Sequence, residues 1–154
     1  ADPAKMEAHP FPVTMVFLSE AIKRLRAVGA EKRARPTDLW RGMRNVKAPS
    51  AFYRDGGTEF APMSTSADLK VAIQYALGHS NEARHKTSHA LVPKLLTQTF
   101  LDRGADLAWC SAFPAEAEVL YPPLCYLQPT GRKEVMRMNG QTFTVVECVP
   151  RLGS

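Results

Sequence analysis

The sequence predicts an α+β domain with a mainly antiparallel sheet, and three observations predict it. Apolar residues recur at three-and-four spacing in the first half of the chain, the spacing of helices with one buried face. From His89 onward the pattern changes to short runs rich in β-branched and aromatic residues, bounded by turn formers. Asn139-Gly140, the favoured pair for a two-residue hairpin turn, lies between two such runs near the end. Helices first and strands after argue against a doubly wound parallel fold. The chain also lacks G-x-G-x-x-G and G-K-[ST] phosphate loops, which argues against a Rossmann or P-loop nucleotide site.

The elements follow in order. Leu18, Ala21, Ile22, Leu25 and Val28 predict an amphipathic helix over 14–28, stopped by Gly29. Residues 38–44 read as a short strand and 48–54 as a short helix ended by Asp55-Gly56-Gly57. Residues 58–63 are extended. A further helix runs from Ser66 through Leu69, Ala72, Ile73, Ala76 and Leu77, with Ser66 as its cap and Asp68 in its first turn. The polar stretch 78–88 is a loop. Strands are predicted over 90–100, 105–110, 116–121 and 124–128, then over 134–138 and 141–149. Pro93 has no N–H for a ladder and marks the first of these as an edge strand or a bulge.

At 154 residues the chain reads as one domain over 1–154, long enough to bury a core without staples. Residues 1–5 and 152–154 look like cloning remnants and are left out of the fold reasoning. No apolar run is long enough to span a bilayer and no signal peptide opens the chain, so cytoplasmic and secreted locations both stay open. Cys110, Cys125 and Cys148 form no C-x-x-C pair, and His9, His79, His85 and His89 lack ligand spacing, so no metal site is expected. The cysteines read as small buried apolar residues. A net charge of +5 fits a phosphate-bearing ligand or plain solubility. The basic residues are densest at Lys23, Arg24, Arg26, Lys32, Arg33 and Arg35, where the outer face of a helix explains the first three and nucleic acid is not expected.

Three clusters could carry chemistry. Trp40-Arg41-Gly42 offers a planar fork of donors for phosphate or carboxylate beside a residue that lets a ligand approach the backbone. It equally fits an exposed strand arginine beside a packed tryptophan. Ser64-Thr65-Ser66 stands where an extended segment meets a helix, as a cap or as hydroxyls free to bind a sugar. Glu116-Ala117-Glu118 opens an apolar run; on a strand, the period of two puts both acids on one face, about 7 Å apart. Two acids facing one space can stabilise a developing cation and take a proton from a nucleophile.

Taken in this order, Arg41, Ser64-Thr65-Ser66 and Glu116-x-Glu118 resemble the R-S-E signature of the cholera-toxin-like mono-ADP-ribosyltransferases. Leu39-Trp40-Arg41-Gly42-Met43, 57–66, Arg103-Gly104-Ala105-Asp106 and 111–127 are similar to the eukaryotic, arginine-specific ecto-enzymes. The resemblance covers most of 39–127. It implies two small, mainly antiparallel sheets around an NAD cleft, with N-terminal helices. It further implies that Arg41 holds the phosphates or ribose of NAD and that the Gly42 backbone accepts the nicotinamide amide. Ser64 would bond the nicotinamide ribose and orient Glu118, with Thr65 and Ser66 shaping the strand end. Glu118 would be the catalytic glutamate, and Glu116 would engage an acceptor arginine of a target protein. The loop 106–115 would recognise that target, and Phe60 or Tyr75 would stack on nicotinamide. Ala115 departs from the family, which commonly has glycine there.

The expected activity is therefore transfer of ADP-ribose from NAD to a protein arginine, without a metal. An NAD glycohydrolase using the same site is the alternative, and an inactive binding module with a basic surface is the second.

Overall fold

The computed structural model describes residues 11–28, 37–78, 89–138 and 141–152. Helix α1 spans Pro12–Val28, α2 Ser50–Asp55 and α3 Leu69–Leu77. The strands are β1 Thr37–Trp40, β2 Met43–Arg44, β3 Gly57–Glu59, β4 Met63–Ser66, β5 His89–Thr97, β6 Ala105–Asp106, β7 Glu118–Tyr121, β8 Cys125–Met138 and β9 Gln141–Arg151. The α+β class stands.

Where the resemblance implies two small sheets, the strands among the described residues form one hydrogen-bonded sheet of nine, in the order β3-β8-β9-β5-β1-β4-β7-β6, with β2 also on β5. Pairing is antiparallel except between β5 and β9, which run parallel from His89↔Thr142 to Leu95↔Cys148. The junction between the β3-β8-β9-β5-β1 side and the β4-β7-β6 side is narrow: β1 meets β4 through the single pair Trp40↔Ser66.

Strand periodicity sorts the core onto the two faces of the sheet. Leu91 and Leu95 join Leu39, Met63, Tyr121 and Val146 on one face, beneath Phe52 and Tyr53 of α2. Ala90 and Val92 join Phe143 and Val145 on the other, beneath Ile73, Ala76 and Leu77 of α3. Helix α1 lies against β6. It buries only Ile22; Leu18 and Val28, expected in its apolar stripe, are exposed, as are Val16 and Phe17. Of the basic residues, Arg24 pairs with Glu20 on the surface and Arg26 lies over the Phe100 ring. Lys32, Arg33, Arg35, the expected loop 79–88 and the Asn139-Gly140 turn lie outside the described residues, although Met138↔Gln141 pairs beside that turn.

Several boundaries differ from expectation for local reasons. Pro93 is fully buried in a central strand rather than at an edge. Within a strand a residue's N and O point to the same side, and Pro93 O accepts from the Arg41 N–H at 3.1 Å. The missing N–H therefore faces the gap between β1, which ends at Trp40↔Lys94, and β2, which begins at Met43↔Leu91, so no ladder bond is lost. The strand expected over 105–110 stops at Asp106, whose Oδ1 accepts the Ala108 N–H at 2.9 Å and turns the chain. The strand expected over 90–100 gives way to a 3-10 turn at Phe100–Asp102, fixed by a capping box from Thr99. Ser66 closes β4 instead of capping α3; the cap is Asp68, which accepts the Lys70 N–H at 2.8 Å. Leu152, set aside in the sequence reasoning, packs partly buried against the core. Cys125 and Cys148 are buried, whereas Cys110 is exposed. Among the described residues no helix is long and apolar enough to cross a membrane.

Candidate active site

The narrow junction of the sheet opens into a cleft. Beyond Trp40↔Ser66 the chain after β1 stays with β5 through the Arg41 N–H, while β4 stays with β7 over four consecutive pairs. Arg41-Gly42 and Ser64-Thr65 therefore face each other across a cleft of about 430 Å³. Its other walls are Val71, Ala72 and Tyr75 of α3, with Glu116 just before β7 and Glu118 at its start. The volume falls in the range of small-molecule sites, roughly 300–1,000 Å³.

Strand register explains the contact between Ser64 and Glu118. Ser64 sits opposite Leu120 and Ser66 opposite Glu118, so Ser64 and Glu118 are diagonal neighbours on one face. The Ser64 hydroxyl donates to Glu118 Oε1 at 2.7 Å. Thr65 points to the other face, where its buried hydroxyl donates to the Val119 carbonyl at 2.6 Å and ties β4 to β7. The buried Ser66 hydroxyl donates to the Glu116 carbonyl at 2.6 Å and accepts the Asp68 N–H at 2.9 Å. One side chain thus joins the end of β4, the start of α3 and the turn that carries Glu116.

The two glutamates do not share a strand. Pro114–Glu116 is a 3-10 turn, Ala117 is left-handed at φ 47° and ψ 47°, and only Glu118 belongs to β7. The period-two geometry expected for 116–121 therefore does not apply, because Ala117 turns the backbone between the acids. Both still line the cleft. Among the described residues neither carboxylate has a lysine or arginine partner within 4.0 Å. Glu118 is held by Ser64, and Glu116 accepts from the Tyr75 hydroxyl at 3.0 and 3.1 Å on its two oxygens. That hydrogen bond, then burial, then the charges of Glu116 and Glu118 raise the Tyr75 phenol above its ordinary value, which keeps it a neutral donor.

Arg41 reaches across the cleft. Its Nη1 donates to the Ser64 carbonyl and its Nη2 to Glu59 Oε2, each at 3.2 Å. Its Nε is buried and lacks a hydrogen-bond partner. A buried unsatisfied donor on a cation is costly, and an anionic oxygen entering the cleft is the natural group to satisfy it. Gly42 has a packing reason to be glycine: a Cβ there would stand 1.9 Å from the Ala72 carbonyl oxygen of α3. The close approach is that of a helix backbone, which sets the depth of the cleft.

Arg41, Gly42, Ser64, Thr65, Ser66, Glu116 and Glu118 thus come together from the link after β1, from β4, and from the 3-10 turn and first residue of β7. Of the two aromatic candidates, Tyr75 lines the cleft, whereas Phe60 is 74% exposed and does not. Glu59 escapes sequence reasoning, since nothing local in Thr58-Glu59-Phe60 marks it as the partner of a residue 18 positions earlier. No cluster of three potential ligands for a metal occurs among the described residues.

By sequence, neither a protein-family profile nor a curated protein matches the chain. By structure, the ADP-ribosyltransferase HopU1 of Pseudomonas syringae pv. tomato DC3000 matches with a TM-score of 0.56 at 20% identity, over 96% of this chain and 58% of that one. Plx2a, an ADP-ribosyltransferase toxin from Paenibacillus larvae, matches with a TM-score of 0.55 at 11% identity, over 96% of this chain and 74% of that one.

The chain has the ADP-ribosyltransferase fold.

It spans less than two thirds of the HopU1 chain, 58% of its length. In this fold the cleft lies at the junction where β1 and β4 part, with the residues after β1 on one side and β4 and the start of β7 on the other.

Proposed function

We propose that this chain transfers ADP-ribose from NAD to the guanidinium of a protein arginine and releases nicotinamide. The observation that carries this reading is the 2.7 Å bond from Ser64 to Glu118, which fixes one carboxylate at a cleft that holds a second, Glu116, and a cation, Arg41.

The chemistry asks for these groups. As the bond from the ribose C1′ to the nicotinamide nitrogen breaks, its electron pair leaves with nicotinamide and positive charge builds on the sugar. A carboxylate already oriented stabilises that charge without reorganising, and the Ser64 hydroxyl supplies the orientation for Glu118. Arg41 meets the diphosphate, which satisfies its Nε, and Gly42 offers backbone to the nicotinamide amide. Thr65 and Ser66 keep β4, β7 and the Glu116 turn in register. An acceptor guanidinium is protonated and a poor nucleophile. Glu116 aligns it and takes its proton as the new bond from nitrogen to C1′ forms, so the product keeps one positive charge and one proton leaves. NAD is the substrate, and no step draws on a metal.

The test is incubation with labelled NAD, with and without agmatine as a small guanidine acceptor. Label transfer to agmatine and nicotinamide release are both expected. Glu118→Ala should lower both rates by about 10²–10³-fold. Glu116→Gln should lower transfer by about 10²-fold while NAD hydrolysis persists. Equal loss of both activities in Glu116→Gln would count against the acceptor role, and hydrolysis without transfer in the unsubstituted chain would make the protein an NAD glycohydrolase. If neither product forms, the chain is a binding module.

A further inference from the structure

Glu116 stands on a three-residue 3-10 turn at the end of an exposed stretch, with Phe113 67% exposed just before it. A long acidic side chain in that position has many rotamers and no strand to hold it. The chain restrains it at two points. Its carbonyl accepts the Ser66 hydroxyl at 2.6 Å, which fixes the backbone. Its carboxylate accepts the Tyr75 hydroxyl at 3.0 and 3.1 Å, which fixes the far end. Tyr75 projects from α3, whose own position is set by the close approach of its Ala72 carbonyl to Gly42. The direction of the Glu116 carboxylate is thus referred to the same helix that walls the cleft.

We propose that Tyr75 is a positioning residue for the acceptor: through its hydroxyl it holds the Glu116 carboxylate at the mouth of the cleft, and so sets how much of the reaction goes to a guanidinium and how much to water. The inference rests on the reading of Glu116 as the acceptor's base. A phenol is well suited to the task, because it is a single neutral donor whose proton serves one carboxylate oxygen at a time. The second oxygen and the outward lone pairs stay open to a guanidinium fork. The aromatic ring is a separate matter from the hydroxyl. It walls the cleft whether or not the hydroxyl is present, so Tyr75→Phe removes one group and keeps the other.

The experiment compares the unsubstituted chain, Tyr75→Phe, Glu116→Gln and the double variant for agmatine transfer and NAD hydrolysis in the same reactions. In Tyr75→Phe the ratio of transfer to hydrolysis should fall about tenfold or more, as expected for losing a hydrogen bond to a charged group, with the change in kcat for transfer. In the Glu116→Gln background the same substitution should leave the ratio where Glu116→Gln alone put it, since the hydroxyl no longer has a base to hold. A ratio unchanged in Tyr75→Phe, or equal falls in both backgrounds, overturns the positioning role while leaving the transferase reading intact. Absence of transfer from the unsubstituted chain overturns the transferase reading, and the positioning role with it.

Discussion

Cys125 and Cys148 are fully buried, and burial pushes both thiols up from 9.0 to about 12. Cys110 lies exposed on the loop before Glu116. At pH 8 a haloacetamide should therefore modify one thiol of the native chain, Cys110, and all three after denaturation, as read by intact mass. The same shift has a pH signature whose sign is set. The folded state binds these protons more tightly than the unfolded chain, so their stabilising contribution is complete below about pH 9 and is lost as pH rises through about 12. Denaturation midpoints should fall across that window, and a flat profile would show that the thiols ionise alike in both states. That Arg41, Ser64 and the two glutamates are residue types suited to one candidate site was legible in the sequence, and the fold lines a single cleft with them. Their geometry was less so. A period of two presumes that 116–118 is strand, and nothing in Ala117 signals the left-handed backbone that separates the acids. Glu59 was invisible for a related reason: its contact with Arg41 is made by the fold.

On the scale of elements, α3 is the wall that determines how deep the cleft is. Its backbone touches Gly42 so closely that Gly42→Ala must displace either the helix or the end of β1. That substitution should destabilise the protein by about 1–3 kcal/mol in chemical denaturation. An unchanged midpoint would mean that the helix is not seated as described. The helices α2 and α3 and the long hairpin were legible from periodicity and turn residues, since those signals are local. The exposed apolar side of α1 was not, because an amphipathic pattern states which face is apolar but not whether a neighbour covers it. Pro93 misled for the opposite reason. A proline reads as an edge, yet here the adjacent strand is interrupted at Arg41-Gly42, and the proline fills a place where no donor was needed.

For the whole molecule, the pair Trp40↔Ser66 is the point on which two halves of one sheet depend. A continuous sheet shares load along many ladder bonds, and this one passes from β1 to β4 through a single pair beside the cleft. A ligand that engages Arg41 on one bank and Ser64 and Glu118 on the other would act as the absent rungs of that ladder. A non-hydrolysable NAD analogue should therefore slow hydrogen exchange most at residues 40–42 and 63–66, beyond the uniform gain that any tight ligand gives through mass action. Protection spread evenly over the chain would show that the analogue does not bridge the junction. Protection gathered at the junction would instead make the free protein a molecule with a seam, drawn shut by whatever ligand spans it.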